Sequence, residues 1–225
     1  LETARIAARE GMNVVLADVQ VDALERALDE MHTLGAQALP YRLDVSKAVE
    51  VEALAKATVA RFGAPHVVFN NAGVGFGGLI WEHSAQDWDW VIGVNVMGVA
   101  HGVRVFTPLM LDAAARDGAY EGHIVNTASM AGLLNPPNMG VYNVRKHAVV
   151  SLTETLYQDL SLVTDRISAS VLCPFFVPTG IHQSHRNRPG ALSADGVAPT
   201  KSQRIAQAMT AKAVESGKVS AAQVA

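Results

Sequence analysis

Apolar residues along this chain follow two alternating rhythms. Short runs with little polar interruption lie at Met12–Asp18 (MNVVLAD), in AQALPYRLDVS ending at Ser46, at His66–Asn70 (HVVFN), at Gly122–Ser129 (GHIVNTAS) and at Arg166–Pro174 (RISASVLCP). Such continuous runs predict strands buried on both faces. Between them the spacing is helical. Val21–Gly35 and Lys47–Gly63 are amphipathic and each closes on a glycine stop, with Ser46 as the expected N-cap of the second. Ala85–Gly118 predicts one long helix, and Val141 to about Asp165 another. The opening LETARIAARE is already helical in pattern, and the closing SAAQVA has the look of a helix start.

Strands alternating with helices of this length imply right-handed crossovers and a parallel sheet covered on both faces, an α/β doubly wound, Rossmann-like, three-layer α/β/α fold. No repeat or linker divides the chain, so residues 1–225 are expected to form one domain. Residues 181–201 are richer in polar residues, His, Gly and Pro, and are expected to form a mobile lid.

Composition narrows the function. With 49% hydrophobic and 17% charged residues the chain has the make-up of a core-forming domain. A net charge of −3 offers no electrostatic case for nucleic acid or an anionic membrane. One cysteine, Cys173, excludes an internal disulfide framework and makes a reducing cytoplasm the expected compartment. It follows a buried strand and is expected to pack as a small hydrophobe. No apolar run is expected to span a bilayer, and no secretory signal is visible. His182 and His185 lack metal-motif spacing, so no metal is expected.

In doubly wound sheets ligands sit at the carboxyl ends of the strands. Here those ends carry Asp18, Asp44, the NNAG of Asn70–Gly73, Ser129 and the PFFVPTG of Pro174–Gly180. A carboxylate at Asp18 can accept from the two hydroxyls of an adenosine ribose and would repel a 2′-phosphate; as a plain alternative it is a turn residue. Small residues in NNAG allow a flat cofactor close to the backbone.

Tyr142 and Lys146 stand at i, i+4 on one face of a helix start, with Ser129 twelve residues before Tyr142. A lone Tyr-x-x-x-Lys is near a chance pair, and Lys146 could be simply solvated. The chemistry nonetheless suits the set. A phenol is a poor base at neutral pH, a nearby ammonium favours the phenolate, and a serine hydroxyl can hold the same substrate oxygen.

Taken in order, Asp18, LDVS, NNAG, GVNVMG, Ser129, YNVRK and CPFFVPTG resemble a classical short-chain dehydrogenase/reductase over nearly the whole chain. The resemblance implies that Tyr142 is the acid/base, that Lys146 holds the nicotinamide ribose and tunes Tyr142, and that Ser129 orients the substrate oxygen. It makes Asn95 the support of a proton-relay water, the alternative being a polar residue that kinks a long helix. It places Asp44 and Val45 against the adenine and Asn71, Ala72 and Gly73 along the cofactor floor. Pro174 joins the cofactor site, and Val177 and Thr179 meet the nicotinamide amide and phosphate, Thr179 being equally suited to capping a helix. A homodimer or homotetramer built on the two long helices is implied, the alternative being a second buried face.

Two departures qualify the match. The family's Pro-Gly after its sixth strand is Pro174-Phe175 here. The family's first strand and its glycine-rich pyrophosphate loop have no counterpart before Leu1, and its seventh strand none after Ala225. The chain is therefore expected to be an excerpt, truncated at both ends, with a strand and a T-G-x-x-x-G-x-G-like turn before Leu1. Loss of that central strand would leave two strands with unpaired edges.

The expected function is hydride transfer between NAD, favoured over NADP, and an apolar, bulky secondary alcohol or its ketone. The substrate wall would be Met130, Leu133, Leu134 and Met139, with Phe175 and Phe176. Two alternatives stay open: a non-catalytic binding or scaffold protein on the same fold, and an epimerase or dehydratase using the same residues.

Overall fold

A computed structural model describes residues 1–192 and 198–225. Helix α1 (Glu2–Arg9) leads into strand β1 (Val14–Asp18), helix α2 (Val21–Thr33), strand β2 (Ala38–Arg42), helix α3 (Ala48–Phe62) and strand β3 (Val67–Asn70). Helix α4 (Ala85–Ile92) passes without a break through a π-turn at Gly93–Met97 into helix α5 (Gly98–Arg116). Strand β4 (Gly122–Thr127), the short helix α6 (Ala131–Leu134), helix α7 (Gly140–Ser161) and strand β5 (Ile167–Leu172) follow. Two 3-10 turns (Gly180–Asn187 and Gly190–Leu192) precede helices α8 (Lys201–Glu215) and α9 (Ala221–Val224).

All strand pairs are parallel, as the crossovers require, but the sheet is in two parts. Strand β1 pairs with β2, and β3, β4 and β5 form a second set in that order. Among the described residues β1 and β3 therefore each carry one unpaired edge. Both parts have helices packed on them, in the Rossmann-like manner. The larger core joins Val68, Ile124, Ile167 and Ala169 of the three strands to Leu54 of α3, Phe106 and Met110 of α5 and Leu156 and Leu160 of α7. A smaller core joins Val14 and Leu16 of β1 to Ala8 of α1 and Leu24 and Met31 of α2.

Local chemistry explains most boundaries. Helices α2 and α3 stop before Gly35 and Gly63, which take φ of +78° and +84°, a region side chains other than glycine rarely adopt. Helix α4 starts on a reciprocal cap: the Asp87 N–H donates to Ser84 Oγ while the Ser84 N–H donates to Asp87. Helix α8 starts the same way on Thr200 and Gln203, a signal the hydrophobic pattern alone passes over.

Several expectations need correction. Ser46 is not the cap of α3; Lys47 holds that position, and the Ser46 hydroxyl instead donates to Asp44 Oδ1 at 2.7 Å. Helix α7 ends at Ser161, before Asp165. Between Ser129 and Tyr142 lies the short helix α6. The expectation of no membrane-length apolar run also fails on length and composition. The continuous helix Ala85–Arg116 has an 18-residue window of mean hydropathy 1.3. Its Phe106, Met110 and Ala114 lie in the larger core, so this apolar surface covers the sheet. Of the expected lid at 181–201, residues 193–197 lie outside the described residues.

Candidate active site

The carboxyl ends of β3 and β4 and the first turns of α7 converge through a chain of hydrogen bonds. Thr127, the last residue of β4, donates from Oγ1 to Asn71 Oδ1 at 3.1 Å. The backbone carbonyl of the same threonine accepts from Lys146 Nζ at 2.7 Å. One residue thus ties the NNAG loop to the helix carrying Tyr142 and Lys146. Beneath it, Asn70 donates to Asn126 (2.8 Å) and Asn126 to Thr153 Oγ1 (3.0 Å), which donates in turn to the Val149 carbonyl at 2.7 Å. A buried polar set with its bonds made holds its members in register.

Lys146 is only 5% exposed. Burial, reinforced by the neighbouring Arg145 charge and partly offset by Cys173, holds its ammonium well below the ordinary lysine value. Tyr142 follows Val141, whose side chain packs with Val74, Trp90 and Val91 and so fixes the helix start. The Ser129 hydroxyl accepts from the Ala131 N–H at 3.1 Å and donates to the Pro174 carbonyl at 3.4 Å. It thereby joins β4 to the chain leaving β5.

Asn95 lies inside the π-turn and is 1% exposed. Its Oδ1 accepts from the Val74 N–H at 2.9 Å, and its Nδ2 donates to the Val91 carbonyl at 2.9 Å. A Cβ on Gly73 would sit 2.7 Å from that Oδ1, so only glycine fits this floor position. Asn95 thus braces the NNAG loop, and the helical irregularity expected as an alternative role is present as well.

The remaining expected cofactor residues are spread along the same sheet edge. Asp18 is exposed at the end of β1, and its Oδ1 accepts from the Gln20 N–H at 3.0 Å, which is the turn role. Asp44 Oδ1 accepts from the N–H and hydroxyl of Ser46, with Val45 half-buried beside it and touching the Gly98 position of α5. Asn71 and Ala72 are exposed. Thr179 Oγ1 accepts from the Ile181 N–H at 3.4 Å, the capping role.

The expected substrate wall is in two groups. Leu133 and Leu134 lie in α6 and are exposed, with Met130 before it and Met139 after it. Phe175, Phe176 and Val177 instead line a cavity of about 470 Å³ with Ala213, Val219 and Val224 of the α8–α9 region. Pro174 connects the groups, since its carbonyl also accepts from the Met130 N–H at 3.0 Å. Cys173 packs against Val99, Ala128 and Val149, and burial raises its thiol above the ordinary value. No metal-holding cluster occurs among the described residues.

Three residues carry parts of this site without a sequence signal. Thr127 acts through a backbone carbonyl. Arg145 is an ordinary charged residue in the pattern. His83 follows a 3-10 turn at Ile80–Glu82, and its ring lies against Gly140, the first residue of α7.

The comparisons with known proteins agree with this architecture. The short chain dehydrogenase family model matches residues 1–190. A "CLA biosynthesis dehydrogenase/reductase" of Lactiplantibacillus plantarum is 31% identical over 187 residues, 83% of this chain and 64% of that protein. The chain thus spans about three fifths of the length of the first curated relatives it matches. A crystal structure of a short chain dehydrogenase/reductase from Burkholderia phymatum in complex with NAD is 53% identical. It covers 99% of this chain and 77% of its own, with a TM-score of 0.95. An alcohol dehydrogenase from Thermococcus sibiricus, complexed with 5-hydroxy-NADP, is 30% identical with a TM-score of 0.72, covering 94% of this chain and 83% of its own. With its family model matched over residues 1–190 and its parallel strands covered by helices, the chain belongs to the short-chain dehydrogenase family.

Proposed function

We propose that this chain is the catalytic part of an oxidoreductase that moves a hydride between a nicotinamide cofactor and a secondary alcohol or its ketone. The observation that carries this reading is the bond from Lys146 Nζ to the Thr127 carbonyl. It holds the helix bearing Tyr142 against the strand end that leads to Ser129. The residues at the sheet edge fit a dinucleotide. Lys146 has more N–H donors than its bond to Thr127 uses. Asp18 is exposed where an adenosine ribose would lie. Asn71, Ala72 and Gly73 offer a floor of little bulk, with Asp44 and Val45 beside it and Pro174, Val177 and Thr179 on the opposite side. When bound, nicotinamide supplies the hydride acceptor or donor.

In alcohol oxidation, Ser129 Oγ holds the substrate oxygen and Tyr142 takes its proton as the carbon gives up hydride; in reduction the proton returns. Lys146 steadies the ribose and Tyr142, and Asn95 keeps the NNAG loop seated. NAD is preferred in this reading, because the Asp18 carboxylate repels a 2′-phosphate; the NAD complex of the Burkholderia protein supports it. The substrate is apolar and bulky, on the strength of Met130, Leu133, Leu134 and Met139 around α6, with Phe175 and Phe176 near Pro174. The described residues 181–192 and 198–201 of the expected lid segment are its cover. The exposed Val144 and Tyr157 of α7 suit a homodimer or homotetramer face.

The test is a panel of secondary alcohols with NAD and with NADP, using the full-length protein and following reduced-cofactor absorbance. Turnover with NAD that is abolished by Tyr142→Phe, in a protein that still folds, is the expected result. Turnover surviving that change would remove Tyr142 as the acid/base.

A further inference from the structure

Arg145 is wholly buried, and none of its guanidinium nitrogens has a hydrogen-bond partner among the described residues. A buried guanidinium ordinarily recovers its lost hydration from carboxylates or carbonyls. Here its neighbour is an aromatic face: the guanidinium carbon lies over the Tyr142 ring, 3.8 Å from its centroid. The i, i+3 spacing puts the two side chains on one helix face. Val141, Arg145 and Val149 form a buried stripe, closed at one end by Val74, Trp90 and Val91 and at the other by Val99 and Ala128.

Arg145 and Lys146, neighbours on α7, differ in how firmly they hold their charge. Lys146 is bonded to the Thr127 carbonyl, and burial together with the Arg145 charge disfavours its ammonium form. Arg145 is drawn by burial only to about 10, with Tyr142 opposing the shift, so it keeps its charge at neutral pH. A cation over a ring face stabilises an electron-rich ring, and most strongly when both are desolvated.

We propose that Arg145 is a positioning residue for Tyr142: its guanidinium fixes the ring and favours the ionised phenol, supplying charge assistance beside Lys146. The proposal rests on Tyr142 being the acid/base. Other titratable groups on elements packed against α7 are few and mostly engaged. Glu82 accepts from Thr200 and Ser202, Asp87 pairs with Arg188, and His123 bonds Ser170. Asp89 lies on α4, His83 against Gly140, and Cys173 just after β5. The π-turn, α6 and β5 contribute none.

The test is a near-ultraviolet titration of tyrosinate in the full-length protein and in its Arg145→Met and Arg145→Lys variants. The described chain has four tyrosines, so subtracting a Tyr142→Phe titration isolates Tyr142. The Tyr142 component is expected to move up by about one pH unit in Arg145→Met and by less in Arg145→Lys. The rising limb of alcohol oxidation should move with it. The melting temperature should hold or rise, because a buried unpaired charge has been replaced by an apolar chain. An unmoved Tyr142 titration in a folded Arg145→Met protein would overturn the proposal and leave Arg145 a packing residue. If that variant does not fold, Arg145→Gln is read in the same way. The titration needs no turnover, so an enzyme inactive on every alcohol would defeat the functional reading while the titration still decides the role of Arg145.

Discussion

Lys146 Nζ donates a 2.7 Å hydrogen bond to the backbone carbonyl of Thr127, the last residue of β4. A buried amine is thereby anchored to the main chain at a strand end. The anchor has an electrostatic cost with a defined sign. Because the folded-state value of Lys146 lies below the ordinary 10.5, the unfolded chain binds more protons between the two values. Stability therefore rises with pH through that window. The melting temperature of the wild type, measured relative to Lys146→Met, should climb as pH is raised from neutrality towards 10.5. The same variant should lose ~100-fold or more in turnover. A melting-temperature difference independent of pH would refute the buried-amine account.

His83 gives a second pH window, on the acid side. Its ring is buried against Gly140, and burial holds its imidazole below the ordinary 6.5, with Asp87 and the Gly78 backbone offsetting only part of this. The folded state favours the neutral ring, so stability is lost as pH falls below 6.5. Thermal melts between pH 7 and pH 5 should show the loss in the wild type and a shallower slope in His83→Gln. Identical slopes would exclude His83 as the group responsible.

Gly132 sets how closely α6 lies on α7. A Cβ there would stand 2.6 Å from the Lys146 carbonyl oxygen and 2.7 Å from its carbon, both backbone atoms that cannot swing aside. Gly132→Ala should therefore lift α6, and with it the Ser129 hydroxyl that accepts from the Ala131 N–H. The expected outcome in urea denaturation is a loss of about 1–3 kcal/mol. A fall in kcat larger than any change in KM should accompany it, because the reacting groups are misplaced.

Asp87 and Arg188 form an ion pair at 2.6 Å with side chains only 6% and 13% exposed, and the guanidinium also lies over Trp90 and Phe76. The pair fastens the end of the 3-10 turn Gly180–Asn187 to α4. Asp87→Ala removes both this partner and the cap shared with Ser84, leaving a buried arginine uncompensated, and should cost ~3–5 kcal/mol. Arg188→Leu, which leaves no unpaired guanidinium, should cost less. Limited proteolysis within residues 180–192 should nonetheless become faster in both.

Strands and helices with a single apolar rhythm were legible from the chain alone. The run MNVVLAD contains β1, and Gly35 and Gly63 stand where α2 and α3 stop. Tyr142, Lys146 and Ser129 could be singled out in the sequence because their types suit one chemistry. Their anchors were not. Thr127 contributes a carbonyl that every residue possesses, and Arg145 belongs to a type that is almost never buried without a partner. Ser46 was misjudged because Asp44, two residues before it, captures its hydroxyl. The break in α register at Asn95 was legible only as the alternative of a polar residue kinking a long helix, because the apolar pattern is dense on both sides of it.

That break has a consequence for how the helix tolerates change. Each α-helical residue advances about 100° around the axis, and a π-turn absorbs one residue beyond the α repeat. Here it acts as a phase adjuster in a single rod. Trp90 and Val91 are aimed at Val141, while Phe106, Met110 and Ala114 are aimed at the larger core. Drawing the same five residues Gly93–Met97 into α-helical geometry, with none deleted, would turn one half against the other by about 100°. Either the support of the Tyr142 helix or the cover of the sheet would then face the wrong way, whereas losing one residue from the turn would leave both faces where they are.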